Sequence, residues 1–147
     1  MNAPVNIQLS LIDAHRQAIE SANCWRGRTV NLFARGELII AQALLAEKDG
    51  KALPMLLSQR ISRLSRSVAA DMKKAAALNA FEQLSPDRNA IVHGSGSVYV
   101  DRDGKWLLTL HAVDRTGSVE QSVSQSDAEA KVRAFKSTID RLAAAFA

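Results

Sequence analysis

The segment VYVDRDGKWLLTLHAVDRTGSVEQSV, residues 98–123, is the most informative about the fold class, because its hydrophobic residues follow an alternating rather than a helical period. Alternation of this kind is typical of half-buried β-strands. Two turns of the form Asp-Arg-x-Gly, at Asp101–Gly104 and Asp114–Gly117, divide the stretch and supply residues that tolerate a positive φ. The pattern predicts a three-stranded antiparallel meander, with strands at Val98–Val100, Trp106–Val113 and Val119–Val123.

Helical periodicity dominates the chain before this stretch. From about Leu9 to Glu47, hydrophobic residues recur every three or four positions, which predicts one long helix or two nearly collinear ones. Gly27 and Gly36 weaken a helix relative to alanine, so a kink or break near either is an alternative. Ser10 is the expected N-terminal cap, with Asn6 as an alternative start. The predicted stripe is Leu9, Ile12, Ile19, Val30, Phe33, Ile40 and Leu44, with Leu11, Trp25, Leu32 and Ile39 beside it.

Three more helices are predicted after the polar turn at Lys48–Lys51. Pro54 suits the first turn of a second helix, which we expect to continue into the alanine-rich stretch near Ala77. Serine, proline and aspartate at positions 85–87 predict a short helix beginning at Pro86, followed by a flexible Gly94–Ser97 segment. A capping pattern at Ser126–Glu129 opens the last helix. Its apolar side carries Val132, Phe135, Ile139, Leu142 and Phe146.

The fold class is therefore predicted as mainly α, a helical bundle with a small three-stranded antiparallel β-meander inserted before the last helix. The 147 residues, 47% of them hydrophobic, fit a single domain spanning residues 1–147. One cysteine, Cys24, excludes an intrachain disulfide and suggests a reducing compartment, and a small buried side chain is the favoured interpretation over a reactive thiol.

The net charge indicates the class of binding partner, and the N-terminal residues indicate the cellular location. A formal net charge of +4 and a pI near 9.6 favour polyanions such as RNA or DNA. Residues 1–6 lack the basic and apolar regions of a leader, and no apolar run is expected to approach the length that crosses a bilayer. We expect a soluble cytoplasmic protein without a membrane partner.

The sequence Arg88-Asn89-Ala90-Ile91-Val92-His93-Gly94 concentrates the chemistry of the chain. The Arg88 guanidinium can grip a phosphate through two parallel hydrogen bonds, and the His93 imidazole can take or give a proton near neutral pH. Together they suit RNA cleavage, in which a base removes the 2′-hydroxyl proton and a cation stabilises charge on the phosphoryl oxygens. This chemistry requires no metal.

Helical geometry aligns these side chains unequally. Asn89 and His93 are four residues apart and share a face, whereas Arg88 and His93 diverge by roughly 140°. Either the long arginine side chain reaches round, or arginine and histidine from two subunits meet across a two-fold axis in a composite site. Gly94 is expected just past the helix end, where the macrodipole favours an imidazolium at His93.

A structural role for each residue is the alternative. Arg88 then pairs with Asp87 or Glu82, Asn89 bonds locally, and His93 interacts with its own helix end.

The Arg-Asn-x-Ile-Val-His-Gly motif on a short helix, after long helices and before another, resembles the HEPN superfamily, whose members carry arginine, four to six residues and then histidine. The resemblance implies a four-helix bundle, usually a homodimer, and a metal-independent endoribonuclease with Arg88 and His93 catalytic and Asn89 assisting. It implies no cofactor. It also implies a toxin–antitoxin, phage-defence or RNA-processing context, with an antitoxin or other regulatory protein as a further partner. Some members bind without cutting, and the predicted meander departs from the simplest family pattern.

Other residues offer weaker functional hypotheses. Tyr99 and Trp106 are able to stack on bases, although burial against the helices is favoured. With one cysteine and no paired His/Asp/Glu cluster a zinc site is not expected, and the glycines near Gly94 lack the lysine of a phosphate-binding loop. Five basic residues at helical spacing form a weak candidate track for an RNA backbone, with a solvated helix face as the favoured interpretation: Arg60, Arg63, Arg66, Lys73 and Lys74.

Three functional hypotheses follow. The first is a homodimeric HEPN-like endoribonuclease that cleaves RNA. The second is a catalytically silent module that binds RNA, a nucleotide or a protein through the same cleft. The third is a structural adaptor dimer in which the motif serves helix-end packing.

Overall fold

The computed structural model describes residues 3–147, with side chains from residue 10 onward, and within that range it has five helices and three strands. Four helices precede the sheet and one follows it, which confirms the predicted fold class. The helices are α1 (Ala3–Ala46), α2 (Leu57–Ser67), α3 (Met72–Glu82), α4 (Ser85–His93) and α5 (Gln125–Ala145). The strands are β1 (Ser95–Val100), β2 (Trp106–Asp114) and β3 (Gly117–Ser124).

Helix α1 is one continuous helix of 44 residues, about 66 Å long at 1.5 Å per residue. Asn6 and Ser10 lie inside its described range, so the predicted starts at these residues are wrong, and the helix has no break at Gly27 or Gly36. Gly36 has a packing role instead. A Cβ there would lie 2.3 Å from the Phe81 ring of α3, so glycine is what allows this ring to lie against α1.

The core forms where the later part of α1 meets α5 and the sheet. The ring of Phe33 in α1 packs against that of Phe135 in α5 at a tilt of 48°, with ring centroids 5.1 Å apart. The indole of Trp25 lies 6.3 Å from that of Trp106 in β2, and its Nε1 donates to the carbonyl of Ala128 at 2.8 Å. Two rings of α1 therefore join the three parts of the fold.

The predicted stripe of α1 is confirmed in its second half and wrong near its start. Phe33, Ile40 and Leu44 are buried, whereas Leu11 and Ile12 are 63% and 53% exposed. Residues 10–17 are all exposed, because the core of the bundle begins at Ala18. The side chain of Leu9 lies outside the described residues.

The predicted continuation of the second helix into the alanine-rich stretch is wrong. Helix α2 ends at Ser67, and Asp71 caps a separate helix α3 by accepting from the backbone N–H of Lys74 at 3.1 Å. Aspartate competes for backbone donors and favours such caps over helix interiors. Pro54 lies before α2 rather than in its first turn, and the following Met55 is 90% exposed.

The sheet is the predicted antiparallel meander, in the order β1-β2-β3. Trp106, Leu108 and Leu110 are buried on its inner face. Gly104 and Gly117 have φ of 75° and 126°, as expected for the two turns. The prediction that the Gly94–Ser97 segment is flexible is wrong, because Ser95–Ser97 pairs with β2. The predicted burial of Trp106 is confirmed. The predicted burial of Tyr99 is wrong, because Tyr99 is 62% exposed on the outer face of the sheet.

Two caps near α4 and α5 differ slightly from the sequence prediction. Helix α4 begins at Ser85, one residue earlier than expected, and Ser85 gives no side-chain cap. Helix α5 begins at Gln125, and Ser124 accepts from the backbone N–H of Asp127 at 3.2 Å. The predicted cap at Ser126 is therefore displaced by two residues, while the apolar face of α5 is as expected.

Two further expectations from composition are wrong. Cys24 is exposed rather than buried. By length and composition the segment Ser10–Ala46 is able to cross a membrane, with a mean hydropathy of 1.2 over its best 18-residue window. The same helix carries the core residues Trp25, Phe33 and Ile40. Apolar composition in a helix of this kind also arises when it forms the core of a bundle.

Candidate active site

Arg88, Asn89 and His93 lie on α4 and line one open cleft of about 640 Å³. Ile91 and Ala90, on the opposite side of the same helix, are buried and anchor α4 to the core. The cleft is bounded by α1, α2 and the β2–β3 turn as well as by α4. The structure therefore brings the three predicted site residues to one surface of a single chain.

Arg88 is held in place by a carboxylate from α1. Its Nε donates to Glu37 Oε1 at 2.6 Å, and its Nη1 donates to Asn89 Oδ1 at 3.1 Å. The side chains of Arg88 and Glu37 are 16% and 30% exposed, so the pair is partly shielded from water. A guanidinium has five N–H donors, and three remain after these two bonds.

Glu37 is a site residue that sequence reasoning missed. The partners expected for Arg88 were Asp87 and Glu82, which are close in sequence, whereas Glu37 lies 51 residues away. The sequence feature that could have identified Glu37 is a carboxylate at the edge of the apolar stripe of α1, next to Gly36, which is buried. The amide oxygen of Asn89 accepts from the neighbouring Arg88, which is the local bonding that the structural alternative predicted.

The C-terminal end of α4 is stabilised by Arg26 of α1, which was not expected. Its Nε donates to the carbonyl of Ile91 at 2.8 Å, and its Nη2 donates to the carbonyl of Gly94. These carbonyls are at the helix end, where a cation satisfies backbone acceptors and the helix dipole. Arg26 thus performs the helix-end role considered for His93, and the His93 side chain stays exposed.

Gly94 is required by a close approach and not by an unusual φ. Its backbone is extended, with φ −72° and ψ 148°. A Cβ there would lie 2.3 Å from the carbonyl oxygen of Ala90 and 3.2 Å from that of His111. Glycine therefore allows α4 to end and β1 to begin with one residue between them.

A second cleft, of about 810 Å³, lies on the other side of His93. His93 and Asn89 line it together with His111 and Glu120, which are opposite each other on β2 and β3. His111 Nδ1 lies 3.7 Å from Glu120 Oε2, and both side chains are more than half exposed. His111 and Glu120 were not singled out as site residues from the sequence, because their approach to His93 depends on the strand register.

The first cleft also contains residues of both charges near its rim. Arg60 and Arg115 line it, as do Glu82 and Asp114. The hydroxyl and backbone N–H of Thr116 donate to the Asp114 carboxylate at 2.6 and 2.7 Å, and these bonds lower the pKa of Asp114 below its usual 3.8. The rim therefore keeps a negative charge beside Arg115 at neutral pH.

The weak candidate track of basic residues is divided between α2 and α3, which are separate helices. Arg60 reaches the first cleft, with its Nε donating to the carbonyl of Pro54 at 2.6 Å. Arg63 instead pairs with Asp49 at 2.6 Å, and Lys74 lies over the Phe146 ring at 5.6 Å. Arg66 and Lys73 are exposed.

In the part of the chain that the structure describes, no group of three or more His, Cys, Asp or Glu side chains is placed to hold a metal ion. Comparisons with protein-family models, with curated proteins and with solved structures found no match to this chain. The function is therefore argued from the geometry of the site.

Proposed function

We propose that this protein is a metal-independent endoribonuclease of the HEPN type. One observation carries the proposal: Arg88, Asn89 and His93 line one open cleft, with the guanidinium held by Glu37 and the imidazole exposed. A fixed cation and an accessible base are two of the elements that RNA transesterification needs.

In the proposed reaction His93 removes the proton from a 2′-hydroxyl, and the resulting oxygen attacks the adjacent phosphorus. The P–O5′ bond breaks and the departing O5′ takes up a proton, giving a 2′,3′-cyclic phosphate and a 5′-hydroxyl. The remaining donors of Arg88 stabilise the charge that develops on the non-bridging oxygens. Asn89 keeps the guanidinium oriented through its bond with Nη1.

The proposal includes a homodimer with its composite site at the two-fold axis. Large apolar side chains around the clefts support it: Met55, Leu56 and Val113 are 90%, 57% and 80% exposed. Exposed apolar side chains clustered around a polar site are typical of surfaces that another chain covers. A second copy placed there would bury them and bring the motifs of two chains together.

The cellular setting is part of the same proposal. We place the protein in the cytoplasm, without a membrane partner, and with an antitoxin or other regulatory protein as a possible partner in a toxin–antitoxin or phage-defence system. The basic pI near 9.6 supports RNA as the polyanion.

A catalytically silent binding module is the second candidate, and the Arg88–Glu37 pair favours it. A guanidinium whose Nε already donates to a carboxylate at 2.6 Å has less charge to offer a scissile phosphate. This candidate predicts RNA binding that weakens with salt and yields no product.

Cleavage of RNA by the purified protein in the presence of EDTA tests the first candidate. Wild type should give 2′,3′-cyclic phosphate ends on RNA and leave the same sequence in DNA uncut. His93→Ala and Arg88→Ala should each lose at least about 100-fold in rate. His15→Ala is the matched control, because His15 is exposed on α1 and does not line either cleft around His93.

RNA cleavage by His93→Ala at the wild-type rate would contradict the assigned mechanism.

Mixing the two inactive variants tests the composite site, because a mixed dimer contains one intact Arg88–His93 pair from opposite subunits. We expect the mixture to recover about one quarter of wild-type activity. An inactive mixture of variants that are shown to exchange subunits would place each site within one chain.

A further inference from the structure

The second cleft places another imidazole beside His93. His93 ends α4, Gly94 follows it, and Ser95 is the residue of β1 that pairs with His111 of β2. A Cβ on Gly94 would lie 3.2 Å from the carbonyl oxygen of His111, so the two backbone segments are in direct contact. Both histidines are exposed and both line this cleft.

The orientation of His111 is set from the neighbouring strand. His111 and Glu120 are directly paired in the β2–β3 register, and directly paired residues project to the same face of a sheet. The carboxylate lies 3.7 Å from Nδ1. This leaves Nε2, on the other side of the ring, for a substrate in the cleft.

The proposed reaction needs two proton transfers at two different oxygens. The attacking O2′ and the departing O5′ lie in line on opposite sides of the phosphorus, so a group that accepts the first proton is badly placed to supply the second. Arg88 cannot serve as the acid, because an arginine does not release its proton in proteins. A second titratable side chain next to His93 meets this need.

We propose that His111 is the general acid of this site, a catalytic residue for which Glu120 is the positioning residue; the inference rests on the proposed ribonuclease function. His93 accepts the 2′-hydroxyl proton while the O2′–P bond forms. The P–O5′ bond breaks, and the His111 imidazolium gives its proton to O5′. Both histidines then return to their starting protonation states by exchange with water. The Glu120 carboxylate, 3.7 Å from Nδ1, orients the His111 ring.

Replacement of O5′ by sulfur at the scissile bond tests the assignment, because a thiolate leaves without protonation. The bond that wild type cuts is first mapped in RNA, and an oligonucleotide of that sequence is then prepared with and without the sulfur. We expect His111→Gln to cut the oxygen substrate about 100-fold more slowly than wild type and the sulfur substrate at nearly the wild-type rate. His93→Gln should be slow on both substrates.

Two control variants sharpen the measurement. His15→Gln should match wild type on both substrates. Glu120→Gln should lose about 10-fold on the oxygen substrate, recover on the sulfur substrate, and add little further loss to His111→Gln.

The other outcomes overturn the inference in different ways. Equal losses by His111→Gln on both substrates would assign His111 to binding or folding, and wild-type rates on both would remove it from the reaction. A wild-type protein that cuts neither substrate would instead overturn the proposed function itself.

Discussion

The two ends of α4 treat their functional side chains in opposite ways. At the N-terminal end the Arg88 side chain is 16% exposed and is held by Glu37 and Asn89. At the C-terminal end His93 is exposed, and Arg26 binds the surrounding backbone carbonyls instead of the imidazole. The protein thus fixes the side chain at one end and the backbone at the other.

This difference fits two different chemical tasks. A phosphate clamp gains from a fixed guanidinium, because its hydrogen bonds are directional and reorganisation is costly. A proton-accepting group must reach the substrate hydroxyl, which an exposed imidazole on a rigid backbone is able to do.

Arg26→Met should remove the side-chain hydrogen bonds that stabilise the C-terminal end of α4. The variant keeps an unbranched side chain but removes both donors to the carbonyls of Ile91 and Gly94. Two charge-assisted bonds in a partly buried place predict a loss of about 2–4 kcal/mol in the free energy of unfolding. Denaturant titration measures it. Arg28→Met is the control and should change stability little, because Arg28 makes an exposed pair with Glu129; equal losses would contradict the role of Arg26.

Gly94→Ala should strain the joint between α4 and β1. The new methyl group would lie 2.3 Å from the carbonyl oxygen of Ala90, so the backbone must shift at a cost of about 1–3 kcal/mol. Gly27→Ala is the matched control: nothing lies within 4 Å of the added carbon, and alanine in a helix should stabilise by about 0.5–1 kcal/mol. Thermal unfolding of both variants should therefore give shifts of opposite sign.

Glu37→Gln should weaken the interaction that holds the Arg88 side chain without abolishing it. The amide still accepts a hydrogen bond, but the charge attraction is lost, and we expect a loss of about 1 kcal/mol in unfolding free energy. The salt dependence of stability should decrease with it. If the variant retains full RNA cleavage, the fixed position of Arg88 is not needed for its role.

Acid should destabilise the protein slightly, through two carboxylates whose pKa values are lowered in the folded state. The bonds from Thr116 lower the pKa of Asp114, and those from Lys136 and then Arg35 lower the pKa of Asp140, both from a usual 3.8. A lowered folded-state pKa adds stability above the unfolded value, and that stability disappears as the pH falls through the folded value. Chemical unfolding between pH 5 and pH 2 should show a decline that begins at about pH 4. Asp114→Asn should reduce it, and a stability that rises with acid would contradict the assignment.

The structural features that could be predicted from the sequence are those that depend on a local pattern of residues. Alternation over residues 98–123 gave the meander, and the two glycine turns fell where Gly104 and Gly117 have positive φ. The Arg88–His93 motif was correctly placed on a short helix starting near Pro86. These features depend on the chemistry of neighbouring residues, which the sequence contains directly.

Contacts between distant segments could not be predicted. Glu37 reaches Arg88 across 51 residues and Arg26 reaches Ile91 across 65, so the residues adjacent in sequence to each arginine do not identify its partner. The approach of His111 to the end of α4 depends on strand register, which a shift of one residue would reverse. The break between α2 and α3 was missed because Asp71 carries the signal alone, without glycine or proline.

The single-residue joint at Gly94 has a consequence for motion. Because α4 passes into β1 without a loop, the end of the helix and the start of the strand cannot open separately. The amide hydrogens on either side of Gly94 should therefore exchange with solvent through one shared opening event. The candidate site would then have no hinge within it, and substrate would enter by way of the open clefts rather than by the movement of a lid.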